Sequence, residues 1–148
     1  MTLQLSSLPD FTLWQQANQP GFGLLDYLSG VATCEMAVAF TALFWPDLVE
    51  YGDAVLLADG FTPALADQWR DQLGGDTAAL ERVMNHRHLS DLLPGSEEVG
   101  QENLRHLGQV LVHTWQCRLE RQFPHRTFRT DFYEDPEAEE VTITFCQE

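Results

Sequence analysis

The amino-acid sequence predicts an α+β fold: a single domain over residues 1–148, in which helices pack on an antiparallel sheet built from two β-hairpins. The length of 148 residues suits one domain with a sizeable core. Two pairs of β-prone runs, in residues 48–58 and 128–145, are separated by helical patterns. Because strands do not alternate singly with helices, a doubly wound sheet is excluded, and no repeat or linker indicates a second domain.

The first part of the chain is predicted to be an irregular arm over residues 1–22, followed by a short helix around Leu24–Leu28. Residues 32–45 form the most apolar stretch, and their alanine content favours a helix. Because this stretch is apolar nearly all round, we expect a central buried helix. Pro46 ends it, since the residue before a proline avoids helical geometry.

Turn and capping residues divide the middle of the chain. Gly52-Asp53 joins two β-prone runs into the first hairpin. Thr62 is the predicted N-cap of a helix that runs to Leu73, and Asp76 is the predicted N-cap of the next helix.

The longest predicted helix covers residues 97–123, with Ser96 as its N-cap. Its apolar stripe, spaced by three and four residues, consists of Leu104, Leu107, Leu111, Trp115, Leu119 and Phe123. Alternating runs around residues 128–132 and 141–145 predict the second hairpin.

The charge of the chain is strongly negative and unevenly distributed. There are 23 acidic and 8 basic residues, a net charge of -15, and every basic residue is an arginine. The first is Arg70, so residues 1–69 hold eight acids and no cation. A later cluster comprises Arg118, Arg121, Arg126 and Arg129. Either this cluster folds onto the acidic first half, or an acidic face stays open to a cationic partner.

This composition excludes several functional classes. Without lysine there is no Schiff-base or Walker-type lysine chemistry, and the negative charge disfavours nucleic acid and anionic membranes. No nucleotide-binding glycine loop or triad motif is present, so we predict no cofactor and no catalytic residue. We expect a cytoplasmic location, because we find no signal-peptide pattern or membrane-length apolar run. Three widely spaced cysteines argue against a disulfide framework or a four-cysteine zinc site.

His86, His88 and Asp91 are the best candidates for metal ligands. A non-helical His-x-His segment can direct two imidazoles to one side and add a carboxylate. Since this spacing is common and no fourth ligand is indicated, we assign no metal. His106 and His113 are about 10 Å apart along one helix, too far to share one ion, and we expect both to face solvent.

Glu35 is the only charged residue of the apolar stretch at 32–45. A buried carboxylate there could act as a general acid or base. With Thr33 as N-cap, however, Glu35 lies in the first turn, where the helix dipole stabilises a negative charge. We prefer this second interpretation.

Two acidic strips are the predicted partner-binding surfaces. They consist of Asp47, Glu50, Asp53 and Asp59 in the first hairpin and of Glu137, Glu139 and Glu140 in the terminal loop. The calcium-loop pattern is missing from the first strip. Because carboxylates at a hairpin edge also prevent aggregation, a purely protective role is the alternative.

Two segments, Ala39–Tyr51 and Glu81–Leu89, resemble stretches of small uncharacterised acidic bacterial proteins. In size, charge and its mixture of helices and hairpins, the whole chain is similar to the immunity proteins that neutralise bacterial toxins. The resemblance implies a binding protein and transfers no functional residue.

We therefore expect a small acidic cytoplasmic protein-binding module that binds a basic protein partner through its acidic face, in the immunity manner. The alternative from another class is a small metal-dependent or hydrolytic enzyme that uses His86, His88 and Asp91 with a carboxylate such as Glu35. The third hypothesis is a homodimer that pairs its hairpin edges or its apolar helix across a two-fold axis.

Overall fold

The structure, a computed structural model, describes residues 3–135 and 140–148, and of residues 96, 97, 135 and 140 it describes the backbone alone. After a 3-10 turn at Leu5–Ser7, the α-helices are α1 (Pro9–Ala17), α2 (Leu24–Val31), α3 (Cys34–Phe44), α4 (Pro63–Gln72), α5 (Thr77–Met84), α6 (Leu89–Leu92), α7 (Ser96–Val99) and α8 (Gln101–Gln122). The strands are β1 (Leu48–Tyr51), β2 (Ala54–Leu57), β3 (Arg87–His88), β4 (Phe128–Asp135) and β5 (Glu140–Gln147).

The predicted α+β class is confirmed, but the predicted single sheet is wrong. Both hairpins form, with Leu48 opposite Leu57 in the first and Phe128 opposite Gln147 in the second. They belong to separate antiparallel sheets, β1-β2 and β3-β5-β4. The two-residue strand β3, which the sequence does not predict, pairs with β5.

Buried side chains in and directly after α5 connect the two sheets through hydrogen bonds to their backbone groups. The carboxylate of Glu81 accepts a hydrogen bond from the backbone nitrogen of Val55 in β2 at 2.8 Å. Its other oxygen accepts from the backbone nitrogen of Gln147 in β5 at 2.6 Å. The Glu81 carboxylate thus satisfies a backbone N–H of each sheet and bridges the two.

Asn85, one helical turn after Glu81, completes the same connection. Its Oδ1 accepts from the backbone nitrogen of Leu57 at 2.8 Å. Its Nδ2 donates to the backbone oxygens of Val55 in β2 at 3.0 Å and Phe145 in β5 at 3.3 Å. The side chains of Glu81 and of Asn85, which directly follows α5, are completely buried, so these hydrogen bonds replace lost contacts with water.

The main core lies between α8 and β5. The predicted stripe of α8 is buried, except that Leu107 is only partly so. Members of this core are Val55, Leu57, Leu89, Leu104, Leu111, Trp115, Leu119, Phe123, Phe128, Val141, Ile143 and Phe145. Gly108 permits the close approach, because a Cβ there would lie 2.9 Å from the Cγ1 of Val141. A smaller core under α4 and α5 contains Ala54, Leu56, Ala66 and Leu80.

The capping predictions for α4 and α5 are confirmed. Thr62 accepts from the backbone nitrogen of Leu65, and Asp76 accepts from that of Ala79. The predicted helix over 97–123, in contrast, is interrupted at Gly100, which has a φ of 80° and separates α7 from α8. The left-handed backbone at this glycine breaks the helix where the apolar pattern alone predicts continuity.

The N-terminal arm is more ordered than predicted. Residues 9–17 form α1, so an irregular segment over all of residues 1–22 is wrong. Proline at the first helical position favours this start, since its missing N–H has no partner there anyway. The rings of Phe11, Trp14, Phe22 and Tyr27 pack together between α1 and α2, at centroid distances from 5.5 to 6.3 Å.

Candidate functional site

The start of α3 forms as its sequence predicts. The hydroxyl of Thr33 accepts a hydrogen bond from the backbone nitrogen of Met36 at 3.1 Å, which is an N-cap. Glu35 lies in the first turn and is exposed. The structure therefore supports its role at the helix N-terminus and does not place the Glu35 carboxylate in the core.

The burial of α3 is the opposite of the prediction. None of the residues of α2 and α3, all of which the structure describes, is buried. Only Leu43 and Phe44, at the C-terminal end of α3, pack against the main core. We call α2 and α3 together the apolar helix pair. Large exposed apolar side chains in or next to it are Leu25, Leu28, Val31, Met36, Val38, Phe40 and Trp45.

The apolar helix pair is sharply bent, with 106° between its two helices. Across the described ranges no single helix has both the length and the apolarity to cross a membrane, although the two members of this pair reach the threshold together. At 1.5 Å per residue the helices are about 12 and 17 Å long, so each is much shorter than a hydrocarbon core of about 30 Å.

Carboxylates dominate the charge around the apolar helix pair. Asp26 lies in the first turn of α2 and Glu35 in that of α3. Residues 1–69 contribute no cation at all. Arg118 approaches the end of α3 from α8, where its guanidinium lies over the ring of Trp45 at 5.5 Å.

The acidic strip of the first hairpin is partly neutralised by the arginine cluster. Arg126 donates to Glu50 at 2.8 Å. Arg118 lies 4.0 Å from a carboxylate oxygen of Asp47 and donates to the backbone oxygen of Pro46 at 3.2 Å. The cluster thus folds back onto the hairpin, which weakens the case for an open acidic face there.

The remaining members of the arginine cluster and of the acidic strips form no contact between the cluster and the hairpin carboxylates within the described residues. Arg129 pairs with its neighbour in β4, Asp131, and the exposed Arg121 has no ion pair within the described part of the chain. The side chains of Asp53 and Asp59 are exposed and likewise unpaired there. The predicted terminal strip falls outside the described residues at Glu137, Glu139 and the side chain of Glu140.

The histidine candidates come together only in part. The rings of His86 and His88 have centroids 4.6 Å apart. Burial, together with the charges of His88 and Arg87, lowers the pKa of His86. His88 Nδ1 lies 3.0 Å from the hydroxyl of Thr142. No group of three His, Cys, Asp or Glu side chains suitable for a metal exists within residues 3–135 and 140–148, so Asp91 does not complete a site with them.

The histidines of α8 differ from each other. His113 is exposed, as predicted. Its Nε2 lies 3.9 Å from the Sγ of Cys117, a contact that was not predicted. His106 is half-buried, and its Nδ1 is shielded from solvent and has no hydrogen-bond partner among the described residues. The expectation that His106 faces solvent is therefore wrong in part.

A cavity of about 620 Å³ opens beside the C-terminal half of α3, at what we call the base of the apolar helix pair. Its walls come from α3, the end of β2, α6 and α8, and they are mainly apolar. Ala42, Leu43, Leu57, Leu92 and Trp115 are among its lining residues. The volume lies within the range of about 300–1,000 Å³ that is typical of ligand pockets.

The polar groups of the cavity are few. Asp47 and Asp59 stand in its lining together with Arg87. Arg87 directs its guanidinium to main-chain oxygens, those of Met84 at 3.1 Å, His86 at 2.8 Å and Asp59 at 2.7 Å. Its donors therefore hold the surrounding chain together, whereas the two carboxylates are left exposed.

Comparison with known proteins gives no match: no protein family, no curated protein and no solved structure matches the chain. The functional conclusion therefore depends on the geometry described above.

The sequence contains one signal for the exposed surface. α8 has an apolar stripe and a polar face, whereas α3 has only two polar side chains, Glu35 and Thr41. A helix without a polar face needs cover on all sides. The pattern indicates that cover is needed, but it does not say whether the same chain or another molecule supplies it.

Proposed function

We propose that the chain is a protein-binding module whose binding surface is the apolar helix pair. The observation that supports this most is that residues 34–42, a nearly apolar stretch, are all exposed. Contiguous exposed apolar surface marks sites of interaction, because its burial is favourable by about 25 cal/mol per Å². The exposed residues 34–42 gain this energy only when another molecule covers them.

The charge around this surface favours a basic partner. An apolar contact area bordered by lysine or arginine would complement the carboxylates of Asp26 and Glu35. The proposal thus keeps the basic partner expected from the sequence and moves the contact from the acidic hairpin to the apolar helix pair. Glu50 contributes less, because Arg126 already donates to it at 2.8 Å, whereas the side chain of Asp47 stays 95% exposed beside Arg118.

A second copy of the chain is a poorer partner than a basic protein. Two copies together carry twice the charge of -15, and the first 69 residues of each have no cation to offset it. Pairing of the two surfaces across a two-fold axis would bring like charges together, which is unfavourable.

The cytoplasmic location and the immunity-like role predicted from the sequence fit this proposal. A small acidic inhibitor would cover an apolar surface on a basic protein, and the opposite charges would speed the encounter. Nothing in the described part of the structure favours the enzyme hypothesis over this one, since His86 and His88 have no third ligand beside them.

The test is quantitative affinity capture from native lysate, with the full chain as bait. The variant Leu25→Ser/Val38→Ser removes the two most exposed apolar side chains of the pair, at 78% and 69% exposure, and should not disturb the core. Tyr133→Ser, which removes an exposed aromatic side chain on β4, is the matched control. We expect the double variant to capture at least about ten-fold less of the basic protein than the wild type does, and the control to capture the same amount.

Three results would contradict the proposal. Equal capture by the double variant would show that the apolar helix pair is not the contact. Sedimentation with zwitterionic lipid vesicles, lost in the double variant, would assign the surface to a membrane. A dimer in light scattering that the same variant dissociates would assign it to a second copy.

A further inference from the structure

The cavity at the base of α3 has the form of an anchor site within the proposed surface. It adjoins the apolar helix pair, because Ala39 and Phe40 belong both to its lining and to the exposed part of α3. Protein interfaces gain most of their affinity from a few side chains that fill well-packed pockets. A volume of about 620 Å³ is ample for one large apolar side chain.

The innermost lining of the cavity is apolar and belongs to the main core. Leu57 and Trp115 are buried members of the main core. The indole Nε1 of Trp115 already donates to the backbone oxygen of Leu43 at 2.8 Å, so this wall offers a filled hydrogen bond and an apolar ring face. An occupant therefore needs an apolar group at depth.

The rim of the cavity favours a cation beside that apolar group. Asp59 has an exposed carboxylate without an ion pair within the described residues, and the side chain of Asp47 is 95% exposed with a single 4.0 Å contact to Arg118. The guanidinium of Arg87 is taken up by three main-chain oxygens, so it does not close a bridge to either carboxylate.

We infer that this cavity takes one apolar side chain of the protein partner, with a neighbouring lysine or arginine placed against Asp59 and Asp47. The occupant's identity rests on the proposed function, because the apolar helix pair next to the cavity is the surface on which the partner lies. The cavity itself can be tested without the partner.

Two small probes with the same ring and the same two-carbon linker test the chemistry on the full chain. Phenethylamine carries an aromatic ring and a cation, and phenylpropionate carries the same ring and an anion. Titrations followed by NMR should show saturable shifts of the Trp115 indole N–H and the Leu57 amide with phenethylamine, at about five-fold or higher affinity than with phenylpropionate. Asp59→Asn should reduce the affinity for phenethylamine by up to about five-fold, as expected for one exposed ion pair.

Ala58→Phe tests the site from outside the apolar helix pair. Ala58 lines the cavity and is exposed, so a ring there should occupy the space without disturbing the core. Ala64→Phe, an exposed position on α4 outside the lining, is the matched control. We expect Ala58→Phe to abolish the probe shifts and to reduce partner capture about ten-fold, with the control unchanged.

The outcomes separate the two proposals. The inference is overturned if neither probe gives saturable shifts, if both bind equally, or if Ala58→Phe captures the partner as well as the wild type does. If that last result accompanies loss of capture in Leu25→Ser/Val38→Ser, the proposed function stands and the anchor site falls. If capture survives the double variant and is lost with Ala58→Phe, the anchor site stands and the proposed surface falls.

Discussion

α3 and α8 touch each other, since Trp115 of α8 donates to the backbone oxygen of Leu43 in α3, yet they are buried to opposite degrees. α8 carries many polar residues and buries Leu104, Leu111, Trp115 and others along one stripe. α3 is nearly all apolar and buries none of its residues. In this chain, the helix with a one-sided apolar stripe is covered by its own domain, whereas the helix that is apolar nearly all round is not.

The physical reason lies in what each helix offers to water. The polar face of α8 is hydrated while its stripe packs on β5, so both needs are met within one chain. α3 has no such face, and a place at the surface leaves apolar groups in water whichever side turns inward. A partner resolves this conflict, which is the basis of the proposed function.

Truncation of one side chain in each helix gives the largest expected contrast. Leu111→Ala removes a completely buried side chain and should lower the free energy of unfolding by about 2–5 kcal/mol. Val38→Ala removes a side chain that is mostly exposed and should change it by less than about 0.5 kcal/mol. Urea unfolding at equilibrium measures both. Equal losses would mean that α3 is covered within its own chain.

Substitution of the Glu81 carboxylate tests whether buried polar side chains hold the two sheets together. In Glu81→Gln an NH₂ group replaces one of two oxygens that accept from Val55 N, Gln147 N and Gln147 Nε2. A donor then faces donors in a buried place, so we expect a loss of about 1–3 kcal/mol in the same urea experiment. Asp71→Asn, an exposed change on α4, is the control and should have no measurable effect. Wild-type stability in Glu81→Gln would show that the carboxylate is dispensable between the sheets.

The loss of stability in acid should give the smallest difference between the two regions. We expect it to arise at the contact of α8 with β4 and not at α3. Arg105 of α8 donates to Glu134 of β4 through Nε at 2.6 Å and Nη2 at 2.9 Å. This hydrogen bonding lowers the pKa of Glu134 below its ordinary value. The resulting stabilisation is present above the ordinary carboxyl pKa and is lost as the pH falls through the lowered value.

A pair of charge-removing variants checks this pH dependence. Thermal unfolding over an acidic pH series should show a shallower loss of stability in Glu134→Gln than in the wild type. Glu35→Gln should change the slope less than Glu134→Gln does, because Glu35 is exposed and has no ion pair within the residues that the structure describes. A shallower slope in Glu35→Gln alone would reverse the assignment and place the acid-sensitive contact on α3.

Local features of the sequence determined the principal helices and both hairpins of this protein. Thr33, Thr62 and Asp76 act as helix N-caps, because a side-chain oxygen satisfies a free backbone N–H within three residues. The alternating runs form both hairpins, and the stripe of α8 faces the core, since these periodicities follow from strand and helix geometry. The α+β class follows from the order of these elements.

Only the tertiary structure decided which faces of the helices and strands are buried. The sheets are connected through Glu81 and Asn85, whose partners are 26 to 66 residues away in sequence, so no local pattern indicates them. Arg118 and Arg126 reach the hairpin over similar separations, 72 and 76 residues. The exposure of α3 and the cavity at its base depend on which surfaces are left over once α8, α5 and the sheets have packed. Caps, turns and apolar periodicities set the local geometry because they act within a few residues. Burial depends on how all the elements of the chain pack against one another.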